Sequence, residues 1–114
     1  MVLVIFEVTI KKDYMDQYLA LAASLKDGLA KAEGFIRSER FSSLSQEGKL
    51  LSLSFWQDEE AVAKWRNQMA HRQSQQHGRE QIFEEYRITV ASAMRQYTID
   101  ERDQAPLDSN QYFK

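Results

Sequence analysis

The stretch FIRSERFSSLSQEGKLLSLSFW, Phe35 to Trp56, decides the fold. Apolar and polar residues alternate from Phe35 to Ser43 and again from Lys49 to Trp56, the two-residue period of a strand. Between them lies LSQEG, Leu44 to Gly48, in which Gly48 is free to take a positive φ. The stretch therefore reads as a hairpin of two antiparallel strands.

Helices flank this hairpin on both sides. Downstream, Asp58 followed by Glu59 and Glu60 starts a helix, since an aspartate cap and an acidic first turn suit its unpaired amides and dipole. That helix carries Ala61, Val62 and Trp65 toward the sheet. Upstream, Asp13 is positioned to cap a helix in which Met15, Leu19, Ala22, Leu25 and Leu29 repeat at helical spacing until Gly34 ends it. Gly28 inside this helix costs about 1 kcal/mol relative to alanine. Before it, Val2, Val4, Phe6, Val8 and Ile10 alternate, with Leu3 and Ile5 apolar on the opposite face. After the second helix, a further helical segment from about Met69 to Phe83 precedes a fourth strand, in which Tyr86, Ile88, Val90, Ser92 and Met94 alternate with Arg87, Thr89, Ala91, Ala93 and Arg95. The order β-α-β-β-α-β predicts an α+β, ferredoxin-like subunit with helices on one face of a four-stranded antiparallel sheet.

From Thr98 the sequence turns polar and holds the chain's one proline, Pro106. Residues 1–97 thus read as the domain and 98–114 as a C-terminal arm. The first and third strands are apolar on both faces, whereas one helical layer covers a single face. A second copy of the chain is the economical cover for the other, so a homodimer is expected.

Bulk composition narrows the function. A 114-residue chain buries about two-thirds of its unfolded surface, enough for one modest core. There is no cysteine, which removes disulfides, thiolate catalysis and cysteine-ligated metal sites. The net charge of −2, with the signs interspersed, offers no footprint for nucleic acid or an anionic membrane. No apolar run approaches the roughly 18 residues of a membrane span, and the N-terminus lacks the features of a signal peptide. A cytoplasmic protein that binds small molecules or a second copy of itself is the expectation.

Phe55 to Arg79 contains both tryptophans and both histidines, and Arg72 to Gln81 has no aliphatic or aromatic residue apart from His77. Gly34-Phe35 at the start of strand two, Phe55-Trp56 at the end of strand three, Trp65 nine residues later and His71 six beyond that form a pattern that resembles the antibiotic biosynthesis monooxygenase family. The tail RDQAPLDS, Arg102 to Ser109, also resembles the ending of some bacterial members. The resemblance implies a dimeric α+β barrel with a ligand cavity between the sheet and helices of each subunit. It further implies oxidation of phenols, anthrones or quinols by oxygen, with no metal or flavin as cofactor. The expected function is a small cofactor-independent monooxygenase acting on an electron-rich aromatic such as a quinol or polyphenol. A non-catalytic small-molecule binding or sensing module of the same fold is the alternative.

Within that pattern Trp65 reads as a cavity wall against which a planar ring stacks, or as a core residue anchoring its helix. His71 reads as the acid–base group, since imidazole titrates near neutrality, or as a surface histidine. These two are the catalytic candidates. Trp56, Asn67, Tyr86 and Arg95 are candidates for substrate contact, with Trp56 also suited to a structural place at its strand end. Arg66 and Arg79 read more simply as solvated charges. His71 and His77, six positions apart, fall on different helix faces and make a poor metal pair. The polar run after Arg72 reads as a plain surface helix or as a lid over the cavity. A heme-degrading branch of the family carries an asparagine on the first strand and a histidine about ten residues beyond the helix tryptophan. Here the first strand has Glu7 and no asparagine and the later place holds Gln75, so of these markers only the tryptophan is retained, and a heme-binding or heme-degrading protein is the third and weakest alternative.

Overall fold

The computed structural model describes residues 1–75 and 82–112, with side chains described for 1–69 and 82–111. The elements are β1 (Val2–Ile10), α1 (Met15–Ala30), β2 (Phe35–Ser42), β3 (Lys49–Trp56), α2 (Glu59–Gln75), β4 (Phe83–Ser92) and a short α3 (Leu107–Tyr112). The strands form one antiparallel sheet in the order β2-β3-β1-β4, which is the predicted α+β, ferredoxin-like arrangement.

Register decides which side chains meet the helices. Val2, Val4, Phe6 and Val8 of β1 lie opposite Trp56, Ser54, Ser52 and Leu50 of β3 and opposite Ser92, Val90, Ile88 and Tyr86 of β4. This set faces α1 and α2, because its members Val8 and Leu50 pack with Tyr18 of α1, and Trp56 packs with Ala61 and Val62 of α2. On the other face Leu3, Ile5, Leu51 and Leu53 are only partly covered and Phe41 is 44% exposed. Phe55 is buried there beneath the Arg37 guanidinium, 3.8 Å from its ring centroid.

The core is split in two. One cluster joins Val8, Ile10, Tyr18, Leu50 and Ile82, flanked by Phe6, Met15 and Phe83. The other joins Trp56, Ala61 and Val62, flanked by Val2, Val4, Leu29, Phe35 and Trp65. The helices are pinned to the sheet at its two ends, and the middle between the layers is left unfilled.

Turns and caps follow the sequence at most points. Gly34 and Gly48 take φ of 79° and 81°, and Asp58 Oδ1 accepts a 2.8 Å bond from the Ala61 amide at the start of α2. Lys64 reaches back to Glu33 at 3.2 Å and to Glu60 at 3.7 Å. The Glu33 hydrogen bond, with help from both carboxylates, holds the Lys64 ammonium above its ordinary pKa.

Several expectations need correction. Asp13 does not cap α1. It lies at φ 73°, in a turn where the Tyr14 amide bonds the Lys11 carbonyl at 3.1 Å, and Tyr14 is the N-cap with no side-chain bond. A short polar side chain tolerates that left-handed conformation at low cost. On α1 the buried position belongs to Tyr18 at 5% exposure, while Leu19 is 41% exposed. Met15, Ala22, Leu25 and Leu29 keep their places on the inward face, and a tyrosine takes the buried position beside Leu19. The helical segment placed from Met69 begins instead inside α2, which runs unbroken from Glu59 to Gln75. Phe83 belongs to β4, where it pairs with Ile10 across a register shift and packs edge-on against Phe6 and Tyr18. β4 stops at Ser92, which lies opposite Val2 near the start of the central strand, and a last bond from the Ala93 amide to the Met1 carbonyl at 3.1 Å closes the ladder.

The arm folds on itself. Arg102 Nε donates to Asn110 Oδ1 at 3.1 Å, Arg102 also donates to the Thr98 carbonyl, and its guanidinium lies 4.9 Å from the Tyr97 ring centroid. None of the buried hydrophobic core residues comes from it among those described. Ending the chain after Tyr97 is therefore expected to leave a cooperatively folded domain, checked by urea unfolding. Loss of the transition would mean that the arm completes the core.

Candidate functional site

The gap between the two clusters is a cavity of about 1090 Å³ bounded by the helix-facing side of the sheet and by both helices. That is at the upper end for a small-molecule site. It arises from side-chain size. In the middle of the sheet β3 presents Ser52 and Ser54, where a packed core would place leucines, and α1 presents Ala22 and Ala23 above them.

Aromatic residues cluster at both ends. At one end Phe35 packs edge-on against Trp56 at 5.3 Å, and Trp56 lies 6.3 Å from Trp65 at a 34° tilt. At the other, Phe6, Phe83 and Tyr86 lie within 6.1 Å of one another between ring centroids, and Tyr18 adds an edge contact at 5.8 Å. Val4, Ile88 and Val90 give an apolar floor, and Leu25, Leu29 and Met69 an apolar roof. Such a chamber suits a flat apolar molecule, since ring faces and edges offer attraction beyond area burial.

The candidate residues separate cleanly. Trp65, half-buried on α2, borders the cavity and touches the core cluster at once, so both of its readings hold. Trp56 is 1% exposed and donates from Nε1 to Ser54 Oγ at 2.9 Å; it forms the end wall and is a structural residue as well. Tyr86 borders the opposite end and is 59% exposed. Asn67 is exposed on α2 and Arg95 lies beyond the end of β4, and neither is among the residues lining this cavity. The His71 side chain lies outside the described residues, as do His77, Arg79 and most of the polar run from Arg72. Arg66 does border the cavity.

Sequence reasoning missed a polar row on the wall. Ser38 and Arg40 of β2 lie opposite Ser54 and Ser52 of β3, all on the cavity side. The signal was present in the alternation LSLS, where serines share a face with Leu50 and Trp56. The register with β1 was needed to turn that face inward.

Comparison with known proteins agrees with this geometry. Residues 1–77 match the family model described as antibiotic biosynthesis monooxygenase. A jasmonate monooxygenase from Pyricularia oryzae is 38% identical over 110 residues, which cover 89% of this chain and 51% of the relative; the chain spans about half the length of that protein. Among solved structures, a proposed antibiotic biosynthesis monooxygenase from Deinococcus radiodurans superposes with a TM-score of 0.74 at 16% identity, covering 87% of this chain and 98% of the other. SnoaB, a cofactor-independent oxygenase from Streptomyces nogalater, superposes with a TM-score of 0.69 at 14% identity, covering 88% and 97%. At such identities these structures speak for the fold alone.

Proposed function

The chain belongs to the antibiotic biosynthesis monooxygenase family, and we propose that it is a cofactor-independent monooxygenase acting on an electron-rich aromatic such as a quinol or polyphenol. The observation that carries this reading is the cavity itself: a largely apolar space between sheet and helices, open to solvent along β4, with aromatic rings at both ends. The Pyricularia relative, about half of whose length this chain spans, is named a jasmonate monooxygenase, which supports the oxygenase part of the reading.

The chemistry asks little of the protein. An ionised phenol is itself an electron donor to oxygen. One oxygen atom enters an unsubstituted ring carbon ortho or para to the hydroxyl and the other leaves as water, so that a phenol passes to a quinone and a quinol to a hydroxyquinone. Atoms and electrons balance with no outside reductant. The protein must bind the ring, take up its proton and keep water from the intermediates. The apolar lining and ring walls support the first demand, and His71 is the base in this proposal. The working unit is a homodimer joined through the sheet face that carries Leu3, Ile5, Phe41, Leu51 and Leu53, which the helices leave uncovered. A monomer in sedimentation at micromolar concentration would remove this part.

Two substitutions test the assignment in a polyphenol-responsive assay. Trp65→Phe keeps an apolar ring and most of the stability, and is expected to weaken binding of a large aromatic by roughly the contribution of one lost aromatic contact, about 1 kcal/mol. His71→Ala is expected to leave binding nearly intact and to lower turnover about 100-fold, the low end for a general base. Wild-type turnover by His71→Ala between about pH 6 and 8 would return the histidine to the surface. Binding without any oxygen uptake would instead make the protein a binding module.

A further inference from the structure

The polar row on the cavity wall has hydrogen-bonding capacity that its contacts within the fold leave unused. Arg40 lies opposite Ser52, and Ser38 opposite Ser54, so the four side chains form a patch across β2 and β3 on the side facing the helices. Ser54 Oγ already accepts the Trp56 indole N–H at 2.9 Å, which leaves its own hydroxyl proton to be donated. The Arg40 guanidinium lies 5.7 Å from the ring centroid of Tyr18, a buried residue of α1, and so reaches across the space between sheet and helix.

Among the described residues no carboxylate forms an ion pair with Arg40; the pairs there involve Lys49 and Lys64. Glu39 and Glu85 border the cavity, but they lie opposite Leu53 and Thr9, whose side chains belong to the other face of the sheet. Glu84 belongs to β4, the far edge strand, at three interstrand spacings or about 14 Å from β2. The result is a guanidinium and serine hydroxyls, rich in donors, on the β2 edge of the cavity, whose other charged lining residues are Lys26 and Arg66 on the helices and the glutamates Glu39, Glu84 and Glu85. A planar fork of N–H groups with hydroxyls beside it matches the two oxygens of a carboxylate.

We propose that Arg40, with Ser38, Ser52 and Ser54, binds the carboxylate of the substrate, so that the substrate class is an electron-rich aromatic acid. The charged group sits at β2 and β3 while the ring lies along the chamber toward Trp65. The inference rests on the reading of this cavity as the substrate site and adds to it the chemistry that fixes orientation. Arg40 is a specificity residue here, and the oxidation takes place at the other end of the molecule.

The test compares naphthylacetate with its uncharged amide by titration calorimetry, at low and high salt. The wild-type protein is expected to prefer the acid on the order of 10- to 100-fold, the range of a hydrogen-bonded charge. Arg40→Gln is expected to abolish that preference while leaving amide affinity unchanged. Arg37→Gln, the same charge change on the opposite face of β2, is expected to keep it, and circular dichroism verifies that both variants fold. Equal binding of acid and amide by the wild type, or an undiminished preference in Arg40→Gln, overturns the proposal and leaves the aromatic chamber standing. If neither compound binds up to its solubility limit, the proposal and the reading of the cavity fall together.

Discussion

Replacing Trp56 with alanine is expected to cost about 3 to 5 kcal/mol of stability, the range for removing a fully buried large aromatic. A domain of this size has only about 5 to 15 kcal/mol to lose. Trp56 is 1% exposed and holds three things together: the Phe35 ring at the start of β2, the Trp65 ring on α2, and the Ser54 hydroxyl through its indole N–H. Its loss would enlarge the cavity and free the start of α2, so the effect should appear both in urea unfolding and as weaker binding of any aromatic ligand. Trp56→Phe keeps a ring and gives up the hydrogen bond, for an expected cost of about 1 to 2 kcal/mol. A cost below about 1 kcal/mol for the alanine variant would mean that the end wall is not packed as described.

Gly34→Ala should be nearly as damaging, for a different reason. Gly34 has φ 79°, a conformation that costs an L-residue about 1 to 2 kcal/mol. A Cβ built there would come within 2.5 Å of Ala61 Cβ on the first turn of α2, so the helix must move outward, an overpacking worth about 1 to 3 kcal/mol. The two add to roughly 2 to 5 kcal/mol. Ala61→Gly in the same chain should restore the steric part and leave the backbone part. The double variant is thus expected to be more stable than the sum of the single effects by about 1 kcal/mol or more. Simple additivity would show that α2 does not pack against this turn.

The sequence made the fold legible because the strongest signals were local. Alternation over Lys49–Trp56, Gly48 in the hairpin turn and the aspartate at the start of α2 each act within a few residues, and each is found where expected, whereas Gly34 takes its positive φ in the turn into β2, after α1 has ended at Ala30 with Lys31 as its C-cap. What failed depended on tertiary contact. Tyr18 replaces Leu19 in the core because its ring meets Phe83, a residue far along the chain. Phe83 enters β4 because Ile10 is there to pair with it. Asp13 looked like a cap, yet the turn from β1 into α1 required a left-handed residue at that point.

The candidate site divides along the same line. Trp65 and Trp56 were legible because large aromatics at an element end have few alternatives to the wall or core. Asn67 and Arg95 were polar residues near the right place in the chain, but helix rotation and the end of β4 set them away from the cavity lining. Ser38, Arg40, Ser52 and Ser54 escaped notice because single serines and an edge-strand arginine look like ordinary surface until register places them on one inward face.

Oxygen uptake by the purified wild-type protein, with chelator present and no added cofactor, tests the central claim most directly. Dithranol, quercetin and menadiol serve as substrates under isotopically heavy oxygen gas, with mass spectrometry of the products. The expected result is enzyme-dependent uptake with at least one of them, one labelled oxygen atom in the quinone product and the other in water. Uptake no faster than with heat-denatured protein for all three, or hydrogen peroxide as the fate of both oxygen atoms, would contradict it.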